Sequence, residues 1–275
     1  MINQLKADYY KLTHSLLFKI IIGVIALLFV GFLAMSRDSE GFGLGFAREY
    51  VGLEPIVDGF VAFAFDNPAK PTFWEVVYSA VFMTFFLWIV LLILTVQFFS
   101  KEFTSGTIKL SYANGKDRFV IFMSKLIVIT TFFGFFYYLF NILAYLVATN
   151  SSGYPLTAEG IIRLLQLTTL FFLVLVIFTM MSMVIFCIVQ NPPIVTTIMI
   201  VIMYSTFFII LCLRDNKAPL IVQMYFYLNP MYYLWKASGF WAYQEIVKET
   251  LIYFTAGFLV LGTSAYYLME NKEIK

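Results

Sequence analysis

The sequence predicts an all-α polytopic membrane protein with six transmembrane helices, and three observations carry that reading. The 275 residues are 61% hydrophobic but only 12% charged, against about 25% charge in a soluble domain. The mean hydropathy is +0.87. The apolar residues also fall into six runs, each close to the ~20 residues that a helix needs to cross a ~30 Å hydrocarbon core. A water-soluble globular enzyme cannot hide this much apolar surface and is excluded. Low charge excludes disorder, and two cysteines exclude a disulfide framework.

The six expected spans are Leu16–Met35, Val76–Phe99, Leu126–Ala148, Leu164–Val189, Ile194–Leu213 and Leu251–Met269. Lys19 sits near the end of the first, and no formal charge lies well inside any of them. Each is expected to be helical, because lipid offers backbone amides no partners. Leu16–Met35 is too long for a cleaved signal peptide, and no small-x-small site follows it, so it is expected to be retained. Cys187 and Cys212 fall inside spans four and five as small core residues. The whole chain reads as one transmembrane domain.

Two further pieces flank the spans. Residues 1–15 place Ile2, Leu5, Tyr9, Leu12 and Leu16 at steps of three and four, one stripe of a helix, with Lys6 and Lys11 off it. This predicts an amphipathic elbow helix lying in the membrane interface. Residues 219–243 are apolar but interrupted by Asn229-Pro230, Lys236 and Gly239, and nine of the 25 are aromatic. Tyr and Trp favour the headgroup zone, so this stretch is expected to be re-entrant or interfacial rather than a seventh span.

Orientation follows from the basic residues. Ten of the 18 Lys and Arg, among them Lys101, Lys109, Lys116, Arg118 and Lys125, fall in the short segments that lie inside if both termini are cytoplasmic. The long 36–75 loop then lies outside. It carries three basic residues against seven acidic ones, a net charge of −4. An acidic vestibule of this kind attracts cationic peptides.

The loop over residues 100–125 is the most informative segment. Thr104 or Ser105 is a candidate cap for a short helix, Asn114-Gly115 a candidate stop, and a second helix is expected to start near Asp117 and carry Arg118 and Lys125 two turns apart. Such a loop holds a short rigid helix against the membrane with its charge toward the cytosol. The order Glu102, Gly106-Thr107, Lys109, Arg118 and Lys125 between spans two and three resembles the first cytoplasmic loop of ABC-2 type ABC-transporter permeases. The six spans, the elbow helix and Asn229-Pro230 followed by aromatics fit the same family. The size resembles the small permeases of bacterial peptide-antibiotic immunity and export systems.

That resemblance implies a role. The loop becomes a coupling helix that docks on a separate ATPase, with Glu102, Gly106, Thr107, Lys109, Arg118 and Lys125 as its working residues. Two ATPases, which would bind ATP and Mg, drive two permeases, this chain with a second copy or with a homologous permease, in a bacterial plasma membrane. The path between the permeases is lined by spans two and five, which points to Thr84, Thr95, Gln97, Thr196, Thr197, Ser205 and Thr206. Each of these also reads as an ordinary helix-contact polar residue.

Several chemistries lack their residues. The only Gly-Lys pair, Gly115-Lys116, is followed by Asp117 and has Leu110 where a phosphate loop needs glycine. No ATP site or enzyme activity is therefore expected in this chain. Gly41, Gly43 and Gly45 are followed by Phe46 and have no βαβ context. His14 is the only histidine, which disfavours a zinc centre or a Ser-His pair. No nucleic-acid partner is expected. The alternative readings are a stand-alone channel or secondary carrier, disfavoured by spans without ionisable groups, and a membrane sensor that moves nothing.

Overall fold

The structure is a computed structural model and describes residues 2–35, 77, 81, 84–104, 115, 117–152, 155–212, 219–238 and 245–271. Among them it is all helical: α1 (Ile2–Thr13), α2 (Leu16–Met35), α3 (Thr84–Thr104), α4 (Arg118–Ser152), α5 (Ala158–Val189), α6 (Pro192–Cys212), α7 (Leu220–Leu228), α8 (Pro230–Ser238) and α9 (Glu245–Asn271). Four are long and apolar enough to cross a bilayer: Leu16–Ala34, Arg118–Asn150, Ala158–Val189 and Val247–Glu270. Two shorter apolar helices, Phe86–Lys101 and Pro192–Ser205, fall where the second and fifth spans are expected.

The helices end where local chemistry dictates. Asp117 caps α4, its Oδ1 accepting from the Phe119 amide at 2.7 Å. Thr157 caps α5 by accepting from Gly160 N at 3.2 Å. Gln190 closes α5 in the left-handed region (φ 54), its N–H donating to the Phe186 carbonyl at 2.8 Å. Asn191 then accepts from Ile194 N, and Pro192 takes the first position of α6, where a missing N–H costs nothing.

These caps lengthen two helices beyond the expected spans. The third was expected over 126–148, yet α4 has 35 residues. The fourth was expected from Leu164, yet α5 begins at Ala158 and has 32 residues. At 1.5 Å per residue each is roughly 50 Å long, well over the hydrocarbon thickness. The expected spans stop at the first charge or amide, Lys125 before the third and Arg163 before the fourth, whereas the helices run past these to their caps. Thr104 is the last described residue of α3, the short helix expected after it lies outside the described residues, and Arg118–Lys125 is continuous with the third span.

The long helices alternate in direction around α5. Phe99 of α3, Phe122 of α4 and Phe186 of α5 meet with ring centroids 5.6–5.8 Å apart, which brings the α3 C-terminus, the α4 N-terminus and the α5 C-terminus to one end. Arg118 reaches Met269, so the α9 C-terminus lies there too and α9 runs parallel to α5. Midway, Gly257 of α9 approaches the Ile177 side chain so closely that an added Cβ would stand 3.3 Å from it. We call this the loop end, since residues 105–117 connect α3 and α4 there.

Segment 219–243 contains two nine-residue helices broken at Asn229-Pro230. Each spans only about 14 Å and cannot cross a bilayer alone. Asn229 is 2% exposed; its Oδ1 accepts from Met231 N at 2.8 Å and so caps α8, with Pro230 at the first helical position. Its Nδ2 donates to the Ile202 carbonyl of α6 and to the Tyr225 hydroxyl, at 2.9 and 2.8 Å. Ser205 joins the same hydroxyl. The break is therefore tied to α6 by a polar knot.

Helix α1 turns the middle of its apolar stripe inward, with Leu12 buried and Leu5 and Tyr9 packed against the core. Gln4, Asp8 and Leu12 are buried, while Ile2 and Leu16 of the apolar stripe are about 70% exposed. The buried Asp8 carboxylate finds partners 116 and 117 positions away in the chain.

Candidate coupling site and transport path

Four helix ends converge at the loop end, and an aromatic cluster joins three of them. Phe99 contacts Phe103, Phe122 and Phe186 edge-on at 5.2–5.8 Å, and Phe103 meets Phe186 at 5.3 Å. Phe119 adds α9 through Tyr266 at 5.5 Å. Such pairs contribute about 0.5–1.5 kcal/mol each beyond simple burial. Because they straddle the 105–117 connection, its two ends stand on a stiff base.

Charged groups reinforce that base. The Arg118 guanidinium donates to the Met269 carbonyl at 3.0 Å, placing a cation on the C-terminal end of α9, where the helix dipole favours it. Lys125 donates to Asp8 Oδ1 at 3.2 Å, and both side chains are 0% exposed. Asp8 Oδ2 accepts from Ser124, and Gln4 Nε2 donates to both carboxylate oxygens at 3.2 Å. The Lys125 ammonium also lies over the Phe98 ring of α3, 4.9 Å from its centroid. Tyr9 of α1 and Thr131 of α4 share a hydrogen bond further along.

The residues expected to work in coupling are thus distributed unevenly. Glu102 lies in the last turn of α3. Gly106, Thr107 and Lys109 lie outside the described residues. Gly115 has φ +72 with nothing within 4 Å of an added Cβ, a left-handed position suited to glycine. Arg118 is half-buried against α9. Lys125 corrects the expectation of a cytosol-facing charge: it is buried between α1, α3 and α4 and has no outward surface. Sequence spacing places Lys125 two turns from Arg118 but gives no sign that Asp8 waits for it.

The expected path residues lie on α3 and α6. The rings of Trp88 and Tyr204 meet at 5.9 Å, so the two antiparallel helices bring Gln97 and Thr197 to a similar depth, and both are exposed. Thr95 is buried and donates to Leu91 O at 2.7 Å. Thr196 and Thr197 donate to Pro192 O and Pro193 O at 2.9 and 3.0 Å. These hydroxyl protons are committed to their own helices. Ser205 belongs to the knot with Tyr225. Thr84 begins the described part of α3, and the side chains of Thr84 and Thr206 lie outside the described residues.

A sequence profile of ABC-2 family transporter proteins matches residues 11–266, nearly the whole chain. The chain belongs to this family. An ABC-2 permease is the transmembrane component of an ABC transporter and not its ATPase, and the family works with ABC ATPase partners. Comparison with curated proteins returns no significant match. Among the described residues of the permease, no group of three or more His, Cys, Asp or Glu is placed to hold a metal ion.

Proposed function

We propose that this permease is the membrane half of an ATP-driven exporter and takes its force through residues 100–125. The observation that carries the reading is the convergence of the α3, α4, α5 and α9 ends at the point where the chain leaves α3 and enters α4. A push there meets an aromatic and ionic base rather than a soft loop, so displacement passes to the helices. Glu102, Gly106, Thr107, Lys109 and Arg118 form the docking segment, and Lys125 acts from within. ATP and Mg belong to the partner ATPase.

In this reading six spans cross a bacterial plasma membrane with both termini cytoplasmic. α1 is the elbow, and α7–α8 form a re-entrant hairpin. Two permeases and two ATPases make the working unit. Exposed stripes support the placing of the second permease: Phe86, Ile93 and Gln97 on α3, and Ile194, Thr197, Val201 and Tyr204 on α6. With two copies facing each other, Thr84, Thr95, Gln97, Thr196, Thr197, Ser205 and Thr206 border the path. The net charge of −4 in the outer loop favours a cationic peptide, such as an antimicrobial, as cargo.

The deciding experiment is affinity purification of the tagged permease from its native membrane in mild detergent. An ABC ATPase is expected to co-purify, and Glu102→Ala or Gly106→Pro is expected to abolish ATP-driven transport while insertion is kept. A permease that transports with no ATPase bound and no response to ATP overturns the reading.

A further inference from the structure

Lys125 and Asp8 form a fully buried ion pair that anchoring alone does not require. Two well-packed apolar side chains hold helices together at least as well, because burying charges carries a desolvation cost that their attraction only offsets. What an ion pair adds is register. Asp8 Oδ1 is shared by Lys125 and Gln4, and Oδ2 by Ser124 and Gln4, so every acceptor direction of the carboxylate is fixed by a named donor. Sliding α1 along α4 strands a buried charge, whereas an apolar contact tolerates such sliding.

The position of the pair matters as much as its chemistry. The Lys125 ammonium touches α1 through Asp8 and α3 through the Phe98 ring at 4.9 Å, while its own backbone is α4. The two flanks of the 105–117 connection, α3 and α4, therefore meet α1 at this one group. Relative motion of the flanks moves the ammonium, and the carboxylate must follow.

We propose that Lys125 and Asp8 are positioning residues that make α1 move with the coupling segment when the partner ATPase binds nucleotide. The inference rests on the coupling reading above and names the element that the force reaches next. Ser124 and Gln4 orient the carboxylate, and α1 carries the motion to its exposed face, where Ala7 lies beside the buried Asp8.

The test uses the permease reconstituted with its co-purifying ATPase, Cys187 and Cys212 replaced by Ala, and Ala7→Cys as a reporter for a water-soluble maleimide. Addition of ATP and vanadate is expected to change the labelling rate about fivefold or more, the lower range of coupling between distant sites. Asp8→Leu/Lys125→Met, which keeps apolar packing, is expected to lose that change while membrane insertion and ATPase association persist. The charge swap Asp8→Lys/Lys125→Asp is expected to restore it. An unchanged nucleotide response in the apolar pair overturns the proposal, as does a wild-type complex whose Ala7→Cys labelling ignores nucleotide. Failure of the ATPase to associate at all, read separately by co-purification, overturns the coupling reading instead and takes this inference with it.

Discussion

Helices α2 and α5 are both long apolar runs, yet the fold uses them in opposite ways. α5 is packed by α3, α4, α6, α8 and α9, and 17 of its residues are buried, from Gly160 to Cys187. α2 buries Ile21, Ile25 and Phe32 along one narrow stripe and leaves Leu27 71% exposed. Hydropathy cannot tell them apart, because lipid tails are as apolar as leucine and no hydrophobic force drives helix onto helix within a bilayer. What separates them is shape. α5 meets partners that approach closely, and glycine is what permits that approach.

Substituting those glycines breaks the comparison most sharply. An added Cβ at Gly134 stands 2.9 Å from the Phe172 ring of α5, and one at Gly257 stands 3.3 Å from Ile177. Gly134→Leu and Gly257→Leu are each expected to cost about 1–3 kcal/mol by overpacking, read as a fall in melting temperature of the detergent-solubilised permease. Cavity formation comes next. Phe178 is 0% exposed and sits edge-on to Trp88. Phe178→Ala is expected to cost about 1–2 kcal/mol, less than the ~3–5 of a soluble core, because the water-to-oil transfer contribution is missing in lipid. Gly115→Ala follows at about 1 kcal/mol, since φ +72 strains a residue with a Cβ. At the small end, Gly23→Leu and Leu27→Ala on α2 are expected to stay within about 0.5 kcal/mol. Nothing lies within 4 Å of an added Cβ at Gly23. If α2 proves as sensitive as α5, its outer face is covered by another chain.

The sequence makes the apolar runs legible because each helix must satisfy its backbone internally, a requirement visible one segment at a time. Asn229-Pro230 is equally readable as a break in an apolar stretch, though not as the cap of α8 that the structure shows. The loop-end geometry is less so. Asp117 as the start of a helix through Lys125 follows from its type, but the continuity of that helix with the third span is masked by the Ser124-Lys125 interruption of the apolar run. Lys125 reads as a cation of a positive-inside loop, and no motif in the sequence singles out Asp8. Only the tertiary fold, across 117 positions, turns them into one ion pair. Pairings this distant leave no periodic trace in either segment.

The parallel run of α5 and α9 bears on how the chain is made. α5 leaves the ribosome well before α9, and in the interval one flank of the central helix stands against lipid alone. Arg118 likewise has no Met269 carbonyl to hold until α9 has been threaded. Insertion and assembly are thus separate events in time, and a translocon client stalled before residue 245 would present a bare α5 groove to membrane quality-control proteases.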